Sequence, residues 1–124
     1  MSNPTDRRYS NDHEWVTNEA PIRVGITQHA ATALGDAVYV DLPEVGDEVT
    51  AGEACGEIES TKAVSDLLAP VSGTVMAIND AAVDNPEIIT NDPFGEGWLY
   101  EVEVTADGED LMDADTYTEW AKNQ

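Results

Sequence analysis

A chain of 124 residues has the length of one domain and can bury a single core without disulfides or a metal to hold it. Its 26 Asp and Glu against 5 Lys and Arg give a net charge of -21 and a pI near 4.1, which excludes a nucleic-acid binder relying on phosphate contacts and disfavours an anionic membrane surface. A single cysteine, Cys55, excludes an intrachain disulfide and a cysteine-built zinc site, and points to a reducing compartment.

The acids are spread along the chain, and an apolar fraction of 41% is that of a folded protein. Concentrated salt shortens the Debye length and quiets the self-repulsion of such a surface. A salt-adapted, prokaryotic cytoplasmic protein is therefore expected, with plain acidic solubility as the simpler alternative. The first ten residues lack the apolar core of a signal peptide, and no run approaches the length of a membrane span.

In chain order, His13-Glu14-Trp15-Val16 reads as a first strand, Asn18 to Pro21 as a turn, and Ile22 to Ile26 as the returning strand. Thr27 is a good N-cap for a short helix over Gln28 to Leu34, with Gly35 closing it from the αL conformation. Strand character resumes over Val38 to Leu42 and, minimally, over Glu48 to Thr50. Ala54 to Glu59 and Val64 to Leu68 form a hairpin whose loop is Ser60-Thr61-Lys62-Ala63, ended by Pro70, Ser72 and Gly73. Gly73 to Asn79 alternates again as a strand.

Asp84-Asn85-Pro86 predicts a short helical turn with Pro86 inside its first turn. Trp98 to Val104 is the cleanest strand pattern, with Leu99 facing away from Trp98 and Tyr100. After Asp107-Gly108, Asp113 caps a helix from Ala114 to Lys122, with Tyr117 and Trp120 on one face. Short strands punctuated by Gly and Pro predict a mainly β fold, a small β-sandwich or flattened barrel with peripheral helices and a C-terminal helix. One domain spans 1–124, with a core over about 8–105 and a C-terminal helical segment over about 108–122. The segments Leu42 to Val49 and Leu68 to Val75 share a Pro, a Gly and a closing Val, a hint of two-fold duplication around the hairpin.

Lys62 stands out against this background. A lysine on a hairpin tip is ordinarily just a solvated charge. This chain has only two lysines, the other being Lys122, and keeps one at its most projected point. A carrier domain needs that arrangement: an exposed ε-amine for a ligase to acylate, on a rigid hairpin that presents the product to other active sites.

Glu59-Ser60-Thr61-Lys62-Ala63-Val64-Ser65-Asp66, followed by Ala69-Pro70-Val71-Ser72-Gly73, resembles the lipoyl-lysine motif of the glycine cleavage system H proteins. His13-Glu14-Trp15-Val16, Val24-Gly25-Ile26-Thr27, Leu42-Pro43-Glu44-Val45-Gly46, Asp84-Asn85-Pro86 and Gly95-Glu96-Gly97-Trp98-Leu99 follow in that family's order and spacing, covering nearly the whole chain. Thr61 departs from the family's β-branched aliphatic and Cys55 from its aromatic.

The resemblance implies a lipoyl/biotinyl-carrier-like β-sandwich (barrel-sandwich hybrid) and a carrier, not an enzyme, with lipoate in amide linkage to Lys62. It implies shuttling of the aminomethyl group of glycine from a glycine decarboxylase (P protein) to an aminomethyltransferase (T protein), with electrons passing to a dihydrolipoamide dehydrogenase (L protein). A lipoate ligase or lipoyltransferase would load the arm, and the carrier would be monomeric. By the same resemblance Glu14 contacts the cationic amine of the loaded arm, with Asp66 and Asp12 nearby.

The remaining chemistry-bearing residues have simpler readings. His13 and His29 lack a metal motif and read as structural or surface residues. Trp98, Tyr100 and Tyr39 read as core or half-core aromatics, Gly95 and Gly97 as backbone accommodation near the groove, and Cys55 as buried filler. Biotin carriers flank their lysine with methionines, unlike Thr61 and Ala63 here, and free-standing lipoyl domains of 2-oxoacid dehydrogenases lack the His13-Glu14-Trp15 segment and the C-terminal helix. An H-like lipoate donor and a non-catalytic acidic interaction module remain as alternatives.

Overall fold

The structure, a computed structural model, describes residues 5–18, 21–107 and 111–122. Glu19 and Ala20 of the first expected turn, and Gly108 before the last helix, lie outside the described residues. Among those described, strands β1 (Arg7–Tyr9), β2 (Glu14–Thr17) and β3 (Ile22–Ile26) lead into helix α1 (Gln28–Leu34). Then come β4 (Ala37–Asp41), β5 (Glu48–Val49), the hairpin β6 (Ala54–Ser60) and β7 (Val64–Leu68), and β8 (Val71–Ile78). Helices α2 (Asp80–Asp84) and α3 (Glu87–Asn91), strand β9 (Tyr100–Asp107) and helix α4 (Ala114–Ala121) complete the order.

Two antiparallel sheets result, one ordered β1-β2-β3-β9-β8-β5 and the other β4-β6-β7. Their inward residues interdigitate: Val24, Val71, Val75 and Val102 from the larger sheet meet Val40, Ile58 and Leu67 from the smaller, all at most 3% exposed. This is the mainly β carrier-like sandwich expected. The two segments suspected of duplication pair with each other, Glu48 opposite Thr74 and Val49 opposite Gly73. A second cluster of Tyr9, Trp15, Ala114 and Tyr117 lies under α4, with the Tyr9 and Tyr117 rings stacked at 4.9 Å. No helix among the described residues is long and apolar enough to cross a membrane.

The helix caps behave as their residue types dictate. The Thr27 side chain accepts from the Ala30 amide, and Asp113 accepts from the Thr116 amide at 2.8 Å. Gly35 closes α1 with a positive φ of 78° but a ψ of -152°, so it sits outside the αL well expected.

Other expectations change. Strand β8 begins at Val71, so Gly73 is inside it, where a Cβ would run into the Glu103 carbonyl of β9. Helix α2 was not legible because Asn79, which precedes it, does not cap it and instead donates Nδ2 to the carbonyls of Glu96 and Trp98, both at 2.7 Å. Pro86 is the N-cap of α3, not a residue of its first turn. Strand β9 begins only at Tyr100, and Leu99 and Tyr100 are both fully buried in the main core cluster. Of the three aromatics read as core or half-core, Tyr100 is fully buried and Trp98 partly so, whereas Tyr39 is 53% exposed.

Gly25 pairs with Trp15 across β2 and β3, and a Cβ there would overlap the indole ring. Trp15 cannot easily yield, because Nε1 donates to the Pro93 carbonyl at 2.9 Å. Gly25→Ala is therefore expected to destabilise the fold by about 1–3 kcal/mol, the range for overpacking, read as a lower urea midpoint at unchanged slope.

Candidate functional site

Lys62 sits at the β6–β7 turn, and Ser60 makes that turn rigid. The Ser60 amide donates to the Ala63 carbonyl at 2.8 Å, while its Oγ accepts from the amides of Lys62 (3.2 Å) and Ala63 (3.0 Å). The Thr61 amide donates to the Asp36 carbonyl, tying the tip to the α1–β4 junction. Lys62 is exposed, and its stem crosses Gly35 so closely that a Cβ on that glycine would lie 2.8 Å from Cε. The missing side chain at Gly35 makes the bed for the lysine stem.

Beside this tip lies a cavity of about 340 Å³. Its walls come from α1 through His29, Ala33 and Leu34, from β7 through Val64, Asp66 and Leu67, and from the segment Asp12-His13-Glu14. The structure thus brings all three expected carboxylates to one cavity, but in unlike settings: Asp12 and Asp66 are exposed on its rim, whereas Glu14 is 3% exposed. Glu14 Oε1 is buried without a hydrogen-bond partner. Burial, and secondarily the charge of Asp12, push the Glu14 pKa well above the usual carboxylate range, opposed by bonds from the Leu68 amide and the Ser10 hydroxyl. Such an orphaned buried acceptor calls for a donor to complete it.

The segment that presents Glu14 is a tight turn. Ser10 donates its amide to the Glu14 carbonyl at 2.8 Å, and His13 adopts φ 63°, the left-handed region a side-chain-bearing residue rarely occupies. That conformation lays the His13 ring on His29 of α1, with centroids 4.0 Å apart and planes 13° from parallel. Nδ1 of His13 is 2.6 Å from the Tyr117 hydroxyl, itself 2.9 Å from Thr27 Oγ1, so α4, α1 and the Glu14 turn are joined. The histidines were expected to be merely structural or surface groups, yet both line the cavity. No spacing in the sequence could signal a stack formed between separate elements.

Burial, then the neighbouring His29, lower the His13 pKa, with Asp12 opposing. With its folded pKa below the unfolded value near 6.5, the unfolded chain binds the proton first as pH falls, so His13 removes stability on acidification below about 6.5. His29→Gln is expected to raise the His13 midpoint by less than about one pH unit, still below 6.5 because burial is the larger cause. NMR titration of the His13 ring would measure it.

Cys55 is the extra residue of a bulge opposite β7, which turns its Sγ to within 3.7 Å of the Tyr100 hydroxyl. Burial raises its pKa to about 11, so it stays a thiol at neutral pH and lacks nucleophilic character. Gly95 and Gly97 pack in the turn around Asp92, away from the cavity, correcting their expected place beside it. Among the described residues no group of three or more metal-ligating side chains gathers.

A rigid hairpin lifting an exposed lysine from a two-sheet sandwich, beside a cavity that ends on a buried carboxyl, defines a swinging-arm carrier domain. The profile of the family described as Glycine cleavage H-protein matches residues 7–124. A glycine cleavage system H protein of Corynebacterium jeikeium is 61% identical over 119 residues, covering 92% of this chain and 93% of that protein. One from Streptomyces avermitilis is 55% identical over 123 residues, 98% of each. The crystal structure of a glycine cleavage system H protein from Mycobacterium marinum superposes with a TM-score of 0.91 at 53% identity, over 97% of this chain and 99% of that one. The chain belongs to the glycine cleavage H-protein family and is a carrier subunit of the glycine cleavage system, not an enzyme.

Proposed function

We propose that Lys62 carries lipoate in amide linkage and that Glu14, with Asp66 and Asp12 on the rim, receives the amine end of the loaded arm. The observation that carries this reading is the pairing of an exposed amine at a rigid tip with an adjacent cavity lined by the buried Glu14, whose Oε1 lacks a partner. The residues fit the group. Gly35 leaves a bed for the stem, and the apolar stretch of the cavity from Ala33, Leu34 and Val64 suits a hydrocarbon chain.

Once attached, lipoate supplies a cyclic disulfide that accepts the aminomethyl unit together with an electron pair. The chain's residues do the rest. Ser60 and the Asp36 carbonyl hold the tip in one orientation, Leu34 and Val64 exclude water from the chain, and Glu14 offers its free oxygen to a cationic amine. Burial disfavours the ionised form of the carboxyl, and an arriving cation favours it, which binds the amine by a short charge-assisted bond.

In this reading the carrier works as a cytoplasmic monomer with the P, T and L proteins, and a lipoate ligase or lipoyltransferase acylates it. Intact mass and peptide mapping after expression with a lipoate ligase test the attachment. One lipoyl adduct on Lys62 is expected, and no adduct, or one elsewhere, overturns the assignment.

The net charge of -21 supports adaptation to concentrated salt. The melting temperature should then rise by several degrees between about 0.1 M and 2 M KCl, as screening removes self-repulsion. A flat or falling melting temperature would refute salt adaptation and leave the carrier function untouched.

A further inference from the structure

His13 stands where the ladder between β2 and β3 ends. Glu14 pairs with Ile26, and one residue further the Thr27 amide donates to the His13 carbonyl at 2.9 Å. The His13 side chain returns to the same threonine by a second route, through the Tyr117 hydroxyl, which lies 2.6 Å from Nδ1 and 2.9 Å from Thr27 Oγ1. Backbone and ring of His13 are thus tied to one residue, and the phenol closes the loop. Inside that loop His13 keeps a φ of 63°, a conformation that a side-chain-bearing residue holds only where its surroundings impose it.

Thr27 and Tyr117 are 0% and 1% exposed, so their hydroxyls must be completed from within the protein. Thr27 Oγ1 already accepts from the Ala30 amide at 3.3 Å, as the cap of α1. Of its two hydrogen-bond partners only the Tyr117 oxygen can take the threonine proton. The Tyr117 proton then goes to His13 Nδ1, which must be bare to receive it, and the imidazole proton sits on Nε2. The reverse order would strand the Thr27 proton in the interior without an acceptor, the costlier arrangement. One direction of the chain, Thr27 to Tyr117 to His13, therefore satisfies every group in it.

Along β2 side chains alternate between the two faces of the sheet. Trp15 packs with Tyr117 and Tyr9 under α4, whereas Val16, and with it Glu14 two residues earlier, faces the main core. The phenol therefore acts on the carboxyl through the His13 backbone, which leads directly into Glu14. Stacking of Tyr117 on Tyr9 at 4.9 Å and of His13 on His29 at 4.0 Å steadies both rings.

We propose that Tyr117 is a positioning residue of the carrier: by donating its hydroxyl proton to His13 Nδ1 it holds the left-handed turn that aims Glu14 into the cavity, and so prolongs retention of the arm's ammonium group. This rests on Glu14 being the contact for that group. Helix α4, which supplies none of the described cavity walls, thereby takes part in the site.

Nitrogen-15 NMR of the imidazoles on the full chain without lipoate reads the tautomer, and the lifetime of the aminomethyl-loaded protein reads retention. At about pH 8, above the ordinary histidine range, wild-type His13 should carry its proton on Nε2. A proton on Nδ1 would overturn the proposal even if no variant folds. Tyr117→Phe keeps the ring and removes the hydroxyl. It should leave His13 a mixture of both tautomers and shorten the loaded lifetime about fivefold, the weight of one neutral hydrogen bond. An unmoved tautomer or an unmoved lifetime would each overturn the proposal.

Asparagine tolerates the left-handed region, so His13→Asn removes the ring while permitting the turn. In that background Tyr117→Phe should shorten the lifetime no further, since its route to Glu14 is gone; a further loss of about fivefold would make Tyr117 merely structural and overturn the proposal. Asp113→Ala removes the cap of α4 without touching the hydroxyl. It should lower the melting temperature yet keep the tautomer and lifetime of wild type, and a lifetime loss equal to that of Tyr117→Phe would trace the effect to α4 as a whole and overturn the proposal. A Glu14→Gln protein whose loaded lifetime equals wild type would overturn the Glu14 reading and the proposal together. A shortened Glu14→Gln lifetime beside a Tyr117→Phe lifetime like wild type would overturn the proposal alone.

Discussion

Lys62→Arg is expected to abolish carriage while leaving the fold untouched. Arginine keeps the charge, but its guanidinium does not give up a proton near neutral pH and so cannot act as an acyl acceptor. The substituted residue is exposed at a tip whose bonds run through Ser60, Ala63 and the Asp36 carbonyl, none of which needs the lysine side chain. Glycine–bicarbonate exchange with a P protein should fall by at least about three orders of magnitude, with no lipoyl adduct by mass and an unchanged melting temperature. Residual exchange near wild type would mean that the arm is rooted elsewhere.

Glu14→Gln should produce two effects of opposite sign. In the empty carrier, burial holds the Glu14 pKa above its unfolded value of about 4.3. The folded state then binds the proton more tightly, so its relative stability is fullest below about pH 4.3 and is lost as pH rises toward the folded pKa. Glutamine is neutral throughout and removes that loss. Near neutral pH the variant should gain about 1 kcal/mol and melt about 4 °C higher, with a flatter pH dependence of the melting temperature.

The loaded carrier should suffer instead. Replacing the carboxylate under a cationic amine removes roughly 2 kcal/mol, the lower end for breaking a buried charge pair, because the rim at Asp12 and Asp66 is open to water. The lifetime of the loaded intermediate against hydrolysis should shorten about thirtyfold. Stability and function thus pull apart at one residue, as they do where a site stores an unfavourable group for use. Loss of both stability and lifetime would assign Glu14 a structural role.

What the sequence allowed one to read follows a physical division. The hairpin was legible because alternation, the turn at Ser60 to Ala63 and the scarcity of lysine are all local. The caps at Thr27 and Asp113 were legible for the same reason, and both side chains accept the amide bonds their types favour. Expectations failed where a side chain serves a distant backbone. Asn79 reaches the carbonyls of Glu96 and Trp98, Gly73 makes room for β9, and Leu99 and Tyr100 are buried together beside neighbouring strands.

The site divides in the same way. Glu14 was singled out through family resemblance, since a glutamate is mostly a surface residue and nothing local marks this one as buried. Its burial, its bare Oε1 and the stacked histidines all arise where β2, α1 and β7 converge. Packing of that kind has no period to detect.

The two ends of the proposed arm belong to different layers. Lys62 rises from the β4-β6-β7 sheet, and Glu14 from the edge half of the other, although Glu14 and Leu67 of β7 already line the same cavity. A loaded arm resting on Glu14 would close a ring: up β7 from Leu67 to Lys62, along the arm, and back across the cavity wall through one carboxyl. Within a ring each contact is made at the high effective concentration set by the others, so the hold outlasts what any single bond would provide. The same closure makes the ring vulnerable at a point remote from the amine. A partner that shifts β7 against the larger sheet opens it without touching the cargo, so the latch and the cargo can be handled separately.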